Sequence, residues 1–218
     1  DFDTARLVDL MRSRRSCRNY KDKPVPLALL RDLVKIGVSA PSGTNEQAWT
    51  FTILPTRTAV MKVGEATMGF FKKLNRMAGK VWLRQGLKLA GKPELAAYHA
   101  EYAERVGLAI EEYERSGKER LFHGATAAIL VASRPGGTTP VEDALLATQN
   151  ILLAAHAEGL GSCLVGFVVE AAKNDKRIGR AAGMPADERL HAVIALGWPR
   201  EKYKRQVPRP APLVRISE

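Results

Sequence analysis

Arg14-Arg15-Ser16-Cys17-Arg18, then Pro24-Val25-Pro26, then Ala40-Pro41-Ser42-Gly43-Thr44-Asn45-Glu46-Gln47-Ala48-Trp49: these runs decide how the chain reads. The first holds three arginines in five residues, beside a hydroxyl. A guanidinium is a rigid fork of donors that matches phosphate oxygens two at a time. The last run is a Gly- and Ser-containing loop with an Asn, where Gly43 lets backbone N–H groups approach a ligand closely. Together they point to a bound anion carrying a flat polar group. A plainer reading of the arginines is that they complement the C-terminal dipole of a preceding helix. That accounts for one or two of them, and not for Ser16 among them.

Upstream, Asp3 can cap a helix from Thr4 to about Ser13, because its carboxylate accepts otherwise orphaned N–H groups. Leu7, Leu10 and Met11 share one face of it. Downstream, Pro26 suits the first turn of a second helix, with Leu27, Leu30, Val34 and Val38 as its buried stripe. Ala40-Pro41 ends that helix. Trp49 to Leu54 alternates large apolar residues with Thr, a strand with one face buried. Arg57 to Arg120 reads as a long helical stretch broken at Gly79, Gly86, Gly91 and Pro93. Its aromatics are either core or the wall of a substrate pocket.

Ala127 to Ala132 is a short continuous apolar run, a buried strand. Val141 to Gly159 is a helix apolar nearly all round, hence central. Gln149 and Asn150 within it need partners, either neighbouring backbone or a ligand. His156 reads as a packed histidine. Gly159 to Phe167 follows with three glycines. Then come a helix over about 169–182 and a strand from Leu190 to Leu196. The tail is basic and Pro-rich, with Lys202, Lys204, Arg205, Arg209 and Arg215. Helices and strands mix without strict βαβ alternation, so the class is α+β.

At 218 residues the chain suits one domain, and 45% hydrophobic residues suffice for a core. No apolar run is long enough for a bilayer span, so no membrane partner is expected. Cys17 and Cys163 have no metal-site spacing, which fits a reduced, cytoplasmic protein with no metal. The net charge of +11 attracts polyanions. Its basic residues are nevertheless scattered, without a Lys/Arg block or base-stacking aromatics, so nucleic acid is not an expected partner.

In order and spacing these motifs resemble the nitroreductase family of FMN-dependent oxidoreductases. The match runs from R-R-S-x-R through P-S-G-x-N to Phe122-His123-Gly124-Ala125, with Thr126 where the family has Pro. It continues through Asp143-Ala144-Leu145 with Gln149-Asn150, Gly159-Leu160-Gly161-Ser162-Cys163 with Gly166-Phe167, and Leu196-Gly197-Trp198-Pro199. Ala48 stands where many members have proline. The resemblance implies an α+β sandwich, a central, mainly antiparallel sheet flanked by helices, in an intertwined homodimer with FMN at the interface. One domain would span 1–218, with 57–120 as a helical substrate-pocket and dimer insertion and 200–218 as an extended tail.

Carried over residue by residue, Arg14, Arg15 and Ser16 hold phosphate and ribityl, and Arg18 reaches the pyrimidine edge. Pro41, Ser42, Gly43 and Asn45 come from the second copy. Val165 and Gly166 present backbone near the reactive nitrogen. Arg209, or failing it Arg205, completes the phosphate site. No protein acid or base is implied, since the redox chemistry belongs to the flavin. The implied reaction moves hydride from NADH or NADPH through flavin N5 to nitroaromatic, quinone or similar acceptors by ping-pong kinetics. Enone reduction, reductive dehalogenation, or a non-catalytic flavin- or nucleic-acid-binding module remain open on the same motifs.

Overall fold

The computed structural model describes residues 2–203 and 205–217; of the tail's basic residues, Lys204 lies outside them. Helix α1 (Thr4–Ser13) opens with Asp3 Oδ1 accepting from Arg6 N–H at 3.0 Å. Helix α2 (Leu27–Gly37) follows Pro26, and strand β1 (Trp49–Leu54) comes after a single 3₁₀ turn at Gly43–Asn45. The 57–120 stretch becomes α3 (Arg57–Ala78), α4 (Val81–Leu89), α5 (Glu94–Glu101) and α6 (Ala103–Ser116). Thr56 caps α3 through Ala59 N–H, and left-handed Gly117 (φ 70°) ends α6. Then come β2 (Ala127–Ser133), α7 (Pro140–Ala157), β3 (Gly161–Leu164), α8 (Gly166–Asn174), α9 (Lys176–Ala181) and β4 (Arg189–Gly197).

The four strands form one antiparallel sheet in the order β1-β2-β4-β3. Central β2 is buried along its whole length because both faces are covered. Its side chains alternate between two cores. Ala128, Leu130 and Ala132 join Val60, Val63, Phe71, Phe122, Val168 and Ile178 beneath α3, α8 and α9. Ala127, Ile129 and Val131 join Leu30, Leu33, Ala144, Ile151 and Ala155 beneath α2 and α7. Fully burying each of these large aliphatic side chains contributes about 1.5–3 kcal/mol, so the helix–sheet–helix sandwich is fixed from the middle outward. The α+β class with an antiparallel sheet is therefore the observed one.

Several local expectations shift. The buried stripe of α2 is Leu30, Leu33 and Gly37, while Leu27 and Val38 are exposed. Gly37 faces α7 so closely that a Cβ there would come within 2.9 Å of Ile151 Cδ1. Gly86 lies within α4, because a lone glycine costs a helix only about 1 kcal/mol and does not end it. The single helix expected over 169–182 starts at Gly166 and is split at Asp175, whose carboxylate caps α9 by accepting from Arg177 N–H. The run Gly161–Leu164 is a strand. Beyond Pro199 the described residues are irregular and exposed. No helix among the described residues of the chain is long and apolar enough to cross a membrane.

Candidate functional site

The arginine segment is placed by what lies between its arginines. After α1 the chain extends, and Ser16 bridges in parallel to Ser162 of β3, with Cys17 N–H donating to Ser162 carbonyl at 2.9 Å. Cys17 and Tyr20 turn inward and are buried, and the Tyr20 hydroxyl donates to Cys17 carbonyl at 2.7 Å. Two strand glycines make room for them. A Cβ on Gly161 would fall 2.6 Å from Cys17 Sγ, and one on Gly197 would fall 2.8 Å from Tyr20 Cδ1. Burial pushes the Tyr20 phenol and the Cys17 thiol well above their ordinary values, so both stay neutral packing groups. With Cys17 and Tyr20 pinned inside, Arg14, Arg15, Ser16 and Arg18 are left facing outward.

They line a cavity of about 240 Å³ together with Arg12, Val207 and Arg209. Among the described residues, no carboxylate forms an ion pair with any of these five arginines. Five guanidiniums in one concavity repel each other, and an anion relieves that repulsion. Arg15 also stacks its guanidinium over the Tyr203 ring at 4.8 Å, which ties the tail to this segment. Ser13 Oγ lies 2.9 Å from His156 Nε2, so α7 fixes the end of α1 just before Arg14. Burial, and then the Arg14 charge, hold the His156 imidazole below its ordinary pKa.

The Ser42–Gln47 loop leads into β1. Thr44, Asn45 and Gln47 all have positive φ (47°, 58° and 49°). It is tied down by Gly43 N–H to Asp143 Oδ1 (3.0 Å), Gln47 N–H to Ser42 Oγ (3.1 Å) and Thr138 N–H to Glu46 Oε2 (2.8 Å). Val165 is buried and donates its N–H to Val193 carbonyl at 2.9 Å. Gly166 opens α8, with nothing within 4 Å of where a Cβ would sit. Next to it Phe167 meets Phe71 and Tyr102 edge-on, at centroid distances of 5.4 and 6.0 Å. Phe167 and Tyr102 are each partly exposed. Of the aromatics in the helical stretch, Phe71 and Tyr102 are thus the ones that meet the residue after Gly166.

The structure thus brings Arg14, Arg15, Ser16, Arg18 and Arg209 to one cavity, and leaves Arg205 outside it. Pro41, Ser42, Gly43, Asn45, Val165 and Gly166 do not line that cavity within one chain. Arg12 and Tyr203 went unread in the sequence. Arg12 sits in the last turn of α1, two residues before the C-cap Arg14, a spacing that matches no helical repeat. Of the two amides on α7, Asn150 donates to Ser39 Oγ at 3.3 Å and Gln149 is exposed. The departure at Thr126 has a local explanation, since its hydroxyl donates to Lys23 carbonyl at 3.0 Å.

Comparison with known proteins matches the profile of the Nitroreductase family to residues 11–198. The chain is 27% identical over 190 residues to an NADH dehydrogenase of Thermus thermophilus, covering 87% of this chain and 84% of that one. It is 26% identical to an iodotyrosine deiodinase of Thermotoga neapolitana, covering 97% of each. Among solved structures, an FMN-bound nitroreductase of Bacteroides fragilis superposes with a TM-score of 0.68 at 18% identity, covering 97% of this chain and 98% of that one.

Proposed function

The chain belongs to the nitroreductase family, and from that premise we propose that it is an FMN-dependent oxidoreductase working as a homodimer, with NADH or NADPH as donor and a nitroaromatic, quinone or similar electron-poor compound as acceptor. The observation that carries this reading is the cavity of five guanidiniums beside Ser16, none in an ion pair among the described residues. Its donor set fits a phosphate near two negative charges, since paired N–H forks and a hydroxyl match tetrahedral oxygens. FMN, when bound, supplies the hydride transfer. Arg14, Arg15, Ser16 and Arg209 hold the phosphate. Arg18, exposed at the edge of the cluster, places a permanent cation where negative charge develops on the ring's pyrimidine edge.

Pro41, Ser42, Gly43 and Asn45 of a second copy and the Val165–Gly166 backbone complete the site. Two features support the second copy. Leu145 and Leu146 are each 46% exposed on the otherwise apolar α7. The tail carries Leu213, Val214 and Ile216 outward, with exposures of 70–86%. Apolar patches of that kind mark interaction surfaces.

The test is to purify the full chain, load it with FMN, and add NADH or NADPH without oxygen. Absorbance near the flavin maximum should bleach and should return when an acceptor is added. A chain that takes up no FMN overturns the reading. Reductive dehalogenation is the second reading, favoured by the near-complete overlap with the deiodinase relative. A turnover panel of nitroaromatic, quinone and halophenol acceptors separates the two.

A further inference from the structure

Three non-glycine residues of the Ser42–Gln47 loop occupy left-handed backbone, where their side chains crowd their own main chain. A run of this kind persists only where the surroundings over-determine it. Beyond the loop's own Gln47 N–H to Ser42 Oγ bond, the bracing comes from the Arg134–Asp143 segment. Gly43 N–H and the Thr139 hydroxyl both donate to Asp143 Oδ1, at 3.0 and 2.9 Å. Thr138 N–H holds Glu46, and Arg134 Nη2 reaches Gln47 carbonyl at 3.5 Å. The loop's other side, with Thr44 and Asn45, is exposed.

Asp143 is itself 3% exposed. Its second oxygen, Oδ2, is the one buried side-chain polar atom without a partner among the described residues. An unmatched buried carboxylate oxygen disfavours the fold, so a carboxylate at this position needs a reason. The first turns of α7 favour its charge, yet that alone asks for no burial. The bonds to Gly43 and Thr139 supply the reason: the carboxylate sets the backbone of the loop. We propose that Asp143 is a positioning residue, which holds the Ser42–Asn45 loop in its left-handed form so that the loop closes on FMN bound by a second copy of the chain. The inference rests on the functional reading above. Asp143 acts through Gly43 and has no role in the chemistry.

The experiment uses full-length protein and FMN itself, with flavin fluorescence giving Kd and release rate, and melting of the FMN-free chain giving stability. Asp143→Ala removes the acceptor shared by Gly43 and Thr139 and should raise Kd about tenfold or more, because the loop must then be ordered at the expense of binding. Asp143→Asn keeps one carbonyl oxygen for Gly43 and Thr139 and should restore Kd to within about threefold of wild type. A purely structural role predicts lower melting for both variants with Kd unchanged, and that result overturns the proposal. Should Asp143→Ala fail to fold, Gly43→Ala displaces the same loop, since its Cβ would overlap Thr139 Oγ1. It should weaken FMN binding in the same way, and a wild-type Kd overturns the proposal. If the wild-type chain takes up no FMN, the functional reading falls and this inference with it. If wild type binds while Asp143→Ala or Gly43→Ala binds equally well, this inference alone falls.

Discussion

Arg209→Ala asks whether the far end of the chain belongs to the cavity. Arg209 lines it with Arg12, Arg14, Arg15, Ser16 and Arg18, and has no ion pair among the described residues. Removing it should therefore leave the stability of the FMN-free protein within about 0.5 kcal/mol. A hydrogen bond to a charged group contributes about 1.5–3 kcal/mol. Arg209 is exposed in the single chain, so solvent screening argues for the lower end. At about 1.4 kcal/mol per tenfold, FMN Kd should rise about tenfold. Arg209→Lys, which keeps the charge and loses the fork, should fall between. Arg205→Ala is the control, because Arg205 is exposed and outside the cavity. Fluorescence titration at about 0.15 M salt, where the Debye length is about 8 Å, limits the control's long-range effect. Equal losses for Arg205→Ala and Arg209→Ala, or no loss for Arg209→Ala, would refute the reasoning.

Gly197→Ala should destabilise by about 1–3 kcal/mol, because its Cβ meets Tyr20 and the strand backbone cannot yield; in a chain of this length the melting midpoint should drop by about 2–4 °C per kcal/mol. Glu119 accepts from Arg57 Nη2 (3.0 Å) and from the N–H groups of Phe122 and Gly124 (the latter at 3.3 Å), so Glu119→Ala should cost about 3–5 kcal/mol in urea unfolding by stranding a half-buried guanidinium and two amides. His123, His156 and His191 are all held below their ordinary pKa, chiefly by burial. A depressed histidine binds its proton more weakly folded than unfolded, so stability is full above about pH 6.5 and declines as pH falls toward the folded values. Glu112, held at about 2 by its hydrogen bond to Arg120, keeps its charge across this range. Urea midpoints at pH 7.5 and 5.5 should therefore differ, and His191→Gln should flatten that slope; an unchanged slope would count against burial as the cause.

Legibility in the sequence tracked how local the cause was. Asp3, Pro26 and the Ala127–Ala132 run act within a few residues of themselves, and each produced the element it implied. The α2 stripe misread has a nonlocal cause. Periodicity alone does not say whether Leu27 or Leu33 meets α7, and the tight Gly37–Ile151 approach rotates the helix toward Leu33. The arginine cluster could be read because charge and spacing are written side by side. Arg209 could be named as a candidate but not located, since a tail without regular structure gives no period to follow. Asp143 stood in a family motif, but its bond to Gly43 spans 100 residues and has no local signature.

That the cavity draws on both residue 14 and residue 209 has a consequence for how the molecule is made. Synthesis supplies Arg14, Arg15 and Ser16 well before Arg209, so the cluster is completed only after all four strands and the helices between them have been made. A bound phosphate would then work as a clasp between these two segments, reducing the freedom of the open chain much as a cross-link does. Protease cleavage within 200–217, compared with and without FMN, reports the clasp directly: protection by FMN shows it fastened, and equal cutting shows the segments independent.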